Sequence, residues 1–361
     1  MNTRWFRFLA GLVVFAVVTY IGVTLFGSFG GTQDPSTGAY QRAANSFALI
    51  LAIAMVAGLA TFLGLEWFQT GRLDSIASQF GIRTYALMVV GIAINIVLGA
   101  TVANALKIPI YLDSIGTILV GVLCGPIAGA LTGGLANVLW SYVIPLPFQY
   151  PPAAAFAIVA FAIGLAAGVA GRAGFMRPRP NSSVGALAAG AVVALAIVGG
   201  MAYYALTRFY GQDPIQFFDP SKKPDALFVV LAWLIALIFL AVVAGFLALL
   251  FVRRDLSVAF VVVAGVLTGV MAALISAPIA AGVFGGVTAS GTDFLVAAFR
   301  QAGDDIYTAT LKQGLLSDPI DKLTTFLVVY LILNAMARRT KARFPQGERL
   351  VEDGESGEAI I

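Results

Sequence analysis

Ten apolar runs divide the chain, at about 5–28, 46–68, 84–106, 113–125, 126–143, 152–171, 184–207, 226–252, 256–285 and 320–337. Most approach the ~20 apolar residues that a helix needs to cross a bilayer, and no other feature constrains the fold as strongly. In hydrocarbon every backbone N–H and C=O must be bonded inside the segment, so such runs become helices. Composition agrees, since 11% of the 361 residues are charged against ~25% in a soluble domain. The fold class expected is an all-α polytopic membrane protein with about ten transmembrane segments. The net charge of +4 is scattered in short clusters between apolar runs and leaves no nucleic-acid footprint. Lipid is the expected surrounding partner.

The stretch LDSIGTILVGVLCGPIAGALTGGLANVLW (112–140) reads either as one long span or as two short ones meeting at Gly125-Pro126. Arginine placement separates the two. With two spans and a cytoplasmic N-terminus, 14 of the 22 cations fall inside, among them Arg4, Arg7, Arg72, Arg83, Arg172, Arg177, Arg179, Arg253 and Arg254. With one span the clusters GRAGFMRPRP and VRRD move outside, against the positive-inside tendency. Ten segments with both termini cytoplasmic, in a plasma membrane, is therefore the expected topology. The start MNTRWFRF and the run behind it read as a retained first helix rather than a cleaved leader, because the run is as long as a full span. The residues after Arg343 are acidic and glycine-containing and are expected to be a disordered tail.

The chain has one cysteine, Cys124, and no histidine. That excludes a disulfide framework and any histidine- or cysteine-ligated metal cluster, and it removes the commonest general base. No metal site, no cofactor and no enzymatic activity are expected. No GxxxxGK[ST] loop occurs, so coupling to ATP requires another chain. In the ten-run reading no Asp or Glu falls mid-span, which argues against an ion-coupled transporter. Asp318 and Asp321 read as acids at a helix start. Asp304 and Asp305 are the remaining carboxylates that a membrane enzyme could use.

Three features could carry function. Small residues at steps of four, Gly125, Gly129 and Gly133 in one run and Gly91, Asn95, Gly99 and Ala103 in another, either pack helices within the chain or present a flat docking face. Asn95 reads as packing glue between helices. Flanking 112–140, the connections KIPIYLDS and VIPLPFQYPP offer Tyr111, Asp113, Ser114, Gln149 and Tyr150 on the side where Asn137, Trp140 and Tyr142 end a helix. Aromatic faces with a few polar groups make a small-molecule pocket or an interfacial aromatic belt. FGGVTASGTDFL (284–295), with Thr292 and Asp293, is either a loop that covers a ligand or a solvated turn. A short helix is expected within the connection 286–319.

The run PIYLDSIGTILVGVLCGPIAGALTGGLANVLWSYVIP resembles the second and third helices of the substrate-binding S components of energy-coupling factor (ECF) transporters. GLLSDPIDKLTTFLVVYLILNAM (314–336) resembles the last helix of that family, with its Asp-Lys pair at the outer end. The resemblance implies a six-helix core within 84–338. Two helices precede it (1–83), a helix pair is inserted near 184–252, and 339–361 forms the cytoplasmic tail. It further implies a subunit that captures a vitamin or related micronutrient outside and works with a transmembrane T component and two ATPases. Carried over by position, 107–113 would close over the ligand, and Gly91, Gly99 and Ala103 would meet the T component. A ligand-sensing or scaffold protein that reuses the same core is the alternative.

Overall fold

The computed structural model describes residues 3–26, 39–105, 111–146, 149–204, 226–288, 290–301 and 303–351, which form helices without a strand. In chain order these are α1 (Thr3–Phe26), α2 (Ala39–Thr70), α3 (Asp74–Ala77), α4 (Ile82–Leu98, widening into a π-helical stretch over Gly99–Ala105), α5 (Ile115–Cys124) and α6 (Pro126–Tyr142). They continue as α7 (Ala157–Arg172), α8 (Val184–Tyr204), α9 (Ala226–Val252), α10 (Ser257–Phe284), α11 (Asp293–Gln301), α12 (Ile306–Ala335) and α13 (Arg338–Lys341).

Among the described residues five helical stretches are long and apolar enough to cross a membrane: Phe6–Phe26, Leu49–Thr70, Ile82–Val102, Pro151–Arg172 and Ser257–Phe284. The chain is a multi-pass membrane protein, but helix length and composition carry five crossings, and the expected ten go beyond them. The shortfall has local causes. The ten residues of α5 reach only ~15 Å at 1.5 Å per residue, half of a ~30 Å hydrocarbon layer. The first half of α12 is polar.

The two-segment reading of 112–140 holds. Gly125 has φ +127°, and a Cβ there would lie 2.4 Å from the Gln79 side chain, so only glycine fits the turn. After it the chain folds back, bringing Gly129 beside Gly121. α5 is buried along its whole length, which is how a helix too short to span can sit inside the bundle. Gln79, 2% exposed, accepts hydrogen bonds from Ile127 N (2.9 Å) and Ala128 N (3.3 Å) and so caps α6.

The glycine ladders are internal packing. A Cβ on Gly164 of α7 would stand 2.2 Å from the Gly129 backbone of α6, so the two backbones touch. Gly91 of α4 lies against the Gly116 carbonyl of α5, and Gly99 against the Trp140 ring. These two faces are filled by the chain's own helices, which corrects their assignment to a T-component interface. The side chain of Ala103 lies outside the described residues. Asn95 acts as glue as expected: its Nδ2 donates to Thr117 Oγ1 (2.7 Å) and its Oδ1 accepts from Gly116 N (2.8 Å) at the start of α5.

The segment after α12 departs from expectation. Residues 339–351 are packed rather than a disordered tail: Gln346 N donates to Leu123 O at the end of α5 (2.8 Å), and Leu350 is 1% exposed. The shortness of α5 leaves an apolar hollow beneath its last turn that Phe344 and Leu350 fill. Residues 352–361 lie outside the described residues. At the start of the chain, α1 pairs with α2 through a buried contact of Arg7 with Glu66 (3.6 Å) and Gln69 (2.6 Å).

Candidate functional site

One end of the bundle encloses a cavity of about 240 Å³. Six helices or the turns leading into them line it: Gly99 beyond α4, Tyr111 to Ser114 before α5, Asn137 to Ser141 on α6, Ala153 to Ile163 along α7, Ala272 to Phe284 on α10, and Gln313, Asp318 and Lys322 on α12. Among the described residues, α1, α2, α8 and α9 contribute nothing to this lining.

Of the residues expected from sequence, Tyr111, Asp113, Ser114, Asn137, Trp140 and Tyr150 are brought together on this wall. Tyr142 is not; it is 57% exposed on the outer side of α6. Gln149 is exposed and donates to Val143 O (3.3 Å). Thr292 and Asp293 stand one layer behind the cavity. Thr292 Oγ1 bonds the Tyr111 hydroxyl (2.7 Å), and Asp293 Oδ1 accepts from Thr288 N (3.0 Å) and Thr288 Oγ1 (2.7 Å). The loop Thr288–Asp293 therefore braces Tyr111, while its Thr288 and Ser290 reach the wall. Tyr111 lies in a connection, and burial followed by the Asp318 carboxylate pushes its phenol above the ordinary value.

The centre of the site is a charged group that the sequence reading placed at a helix start. α12 begins at Ile306, capped by Asp305, whose carboxylate accepts from Tyr307 N (2.9 Å) and Thr308 N (3.0 Å). Burial opposes ionisation of Asp305, but the Thr308 and Tyr307 hydrogen bonds outweigh it and hold the carboxyl below its ordinary value. Asp304 pairs with Lys312 at 2.6 Å. Both acids so have structural partners. With the helix starting this early, Asp318, Asp321 and Lys322 fall well inside it and are 7%, 0% and 4% exposed, which overturns the reading of Asp318 and Asp321 as acids at a helix start.

Their bonds tie α12 to the strap before α5. Lys322 Nζ donates to Asp321 Oδ2 (2.6 Å) and Ser114 Oγ (2.8 Å), with Asp113 Oδ1 at 3.5 Å. Asp321 Oδ1 accepts from Tyr111 N (3.0 Å) and Leu112 N (2.8 Å). Leu112 has φ +50°, a conformation costly for a non-glycine residue and held here by that carboxylate. Asp318, with Ser317 Oγ at 3.2 Å and Ser276 Oγ at 3.4 Å, faces the cavity. Gly269 of α10 lets α12 approach here, since a Cβ would sit 2.4 Å from Pro319 Cα. The wall also carries aromatic rings: Trp140, which meets Gly99 beside Asp113, and Phe284, with Phe156 stacked on it (5.0 Å) and Tyr150 tilted against it (5.7 Å).

A half-open cavity with aromatic residues and a few fixed polar groups has the form of a small-molecule site. Residues 83–253 match the family model described as ECF transporter, substrate-specific component. That segment, which runs from α4 to α9, is thus similar to the substrate-specific components of ECF transporters, in agreement with the resemblance read from the sequence. No curated protein and no solved structure matches it. α10 and α12, which supply seven of the 23 residues lining the cavity, lie beyond the matched segment.

Proposed function

We propose that the chain is the membrane receptor of an ECF-type importer, taking a vitamin or related micronutrient from the outer face and delivering it inward with a T component and two ATPases. The observation that carries this reading is the cavity itself. Its wall draws on six helices, four from the family-matched segment and two from beyond it, and among the described residues none of the extra helices α1, α2, α8 and α9 joins the wall. Tyr111, Asp113, Ser114, Asn137, Trp140 and Tyr150 are the ligand contacts, and the strap Tyr111–Ser114 covers the ligand. The arginine clusters between apolar runs favour both termini on the cytoplasmic side.

Co-expression with ECF T and ATPase subunits tests the proposal. A stable four-subunit complex and ATP-dependent uptake of the compound that co-purifies with the receptor are expected. A protein that retains a compound but never assembles with those subunits would instead be a sensor built on the same core. A protein that neither retains a compound nor assembles would sink both readings.

A further inference from the structure

The charge balance of the cavity narrows the chemical class of its ligand, given the receptor reading above. Among the described residues three carboxylates, Asp113, Asp318 and Asp321, meet one ammonium, Lys322, and no arginine lines the wall. An ammonium has three N–H donors, and those of Lys322 have three oxygens around them, on Asp321, Ser114 and Asp113. No donor of Lys322 is left over for a carboxylate or phosphate entering the cavity. Asp321 is likewise used up, with Lys322 on one oxygen and two backbone N–H groups on the other.

The spare capacity is that of acceptors. Asp113 keeps 32% of its side chain exposed and touches Lys322 only at 3.5 Å. Asp318 has two hydroxyls at 3.2 and 3.4 Å and no ion pair, although it is 7% exposed. A buried carboxylate without a cation is costly, and a positively charged ligand removes that cost. The same wall carries the rings of Trp140, Phe156 and Phe284, and aromatic ring faces attract cations. A metal ion fits less well, because no group of three or more carboxylates or thiols among the described residues is placed to hold one. At about 240 Å³ the space is below the roughly 300–1,000 Å³ of drug-sized pockets.

We infer that the cavity takes a small organic cation, an amine or other nitrogen base on a single ring, with its charge between Asp113 and Asp318 and its ring against Trp140 and the Phe156–Phe284 stack. The charge sign of the ligand is thus set by α12 and the strap, not by the aromatic wall.

Matched one-ring probes test this on the purified full chain in detergent. Tryptophan fluorescence and thermal shift are followed with benzylammonium, benzyl alcohol and benzoate. Benzylammonium is expected to bind at least about tenfold more tightly than either of the others, the size of one charge-assisted hydrogen bond. Asp318→Asn and Asp113→Asn should each reduce that preference. Equal or tighter binding of benzoate or benzyl alcohol to the wild type overturns the inference whether or not the variants fold. Native mass spectrometry of the wild type supplies the second arm. A retained organic cation supports the inference. A retained neutral or anionic compound overturns it while leaving the receptor reading intact. No retained compound together with no binding of any probe overturns both.

Discussion

At the scale of residues, Lys322 is the most informative side chain. It neutralises Asp321, which is fully buried 2.6 Å away, where water cannot, so removing it leaves charge buried without compensation. Lys322→Met is expected to destabilise the protein by about 3–5 kcal/mol, measured as thermal unfolding in detergent. Combining it with Asp321→Asn should recover part of that loss, because the pair then disappears together. Tyr111→Phe removes one hydroxyl bonded to Thr292 and keeps the ring. The expected cost is about 1 kcal/mol, and it should show as faster hydrogen exchange in peptides covering 285–293 while the helices keep their protection. Of this group only Tyr111, Asp113 and Ser114 were legible in the sequence. Lys322 and Asp318 were hidden because SDPIDK precedes an apolar run and reads as a helix start. The signal was present at helical spacing: Gln313, Ser317 and Asp321 step by four, as do Gly314, Asp318 and Lys322.

At the scale of elements, backbone contact between helices decides what the glycines tolerate. Gly164→Ala drives a methyl into the Gly129 backbone, 2.2 Å away. It should cost about 1–3 kcal/mol or more through overpacking, read as a lower unfolding temperature and poor recovery from membranes. Gly134→Ala is the matched control. Its new methyl would meet nothing closer than 3.7 Å, and a gain in helix propensity offsets any small loss. It should leave the unfolding temperature unchanged or slightly raised. The small-residue spacing announced close packing but could not name the partner. Gly91 and Gly99 have the spacing of a docking face, and the fold turns both toward α5 and Trp140.

At the scale of the whole molecule, the C-terminal segment closes the end of the bundle that α5 does not reach. Cys124, the last residue of α5, is fully buried, and it is the only cysteine. Maleimide should therefore label the folded protein slowly, at the rate at which the bundle opens. Leu350→Ala removes a side chain 1% exposed and leaves a cavity worth about 2–5 kcal/mol. Labelling of Cys124 should accelerate in that variant. Unchanged labelling would show that the segment is not a cover.

The sequence by itself determined that this is a helical membrane protein, that 112–140 folds back at Gly125-Pro126, and which strap and helix end carry Tyr111, Asp113, Ser114, Asn137, Trp140 and Tyr150. Those conclusions rest on local rules: apolar length, arginine placement, and turn chemistry act within a few residues of one another. Tertiary structure alone decided that Tyr142 and Gln149 face away, that Thr292 and Asp293 brace rather than line the wall, and that residues 339–351 pack under α5. It also decided that α12 brings Asp318 and Lys322 to a strap more than 200 positions away in sequence. The physical reason is that a buried charge is acceptable only beside its partner, and which residue becomes that partner depends on how whole helices cross.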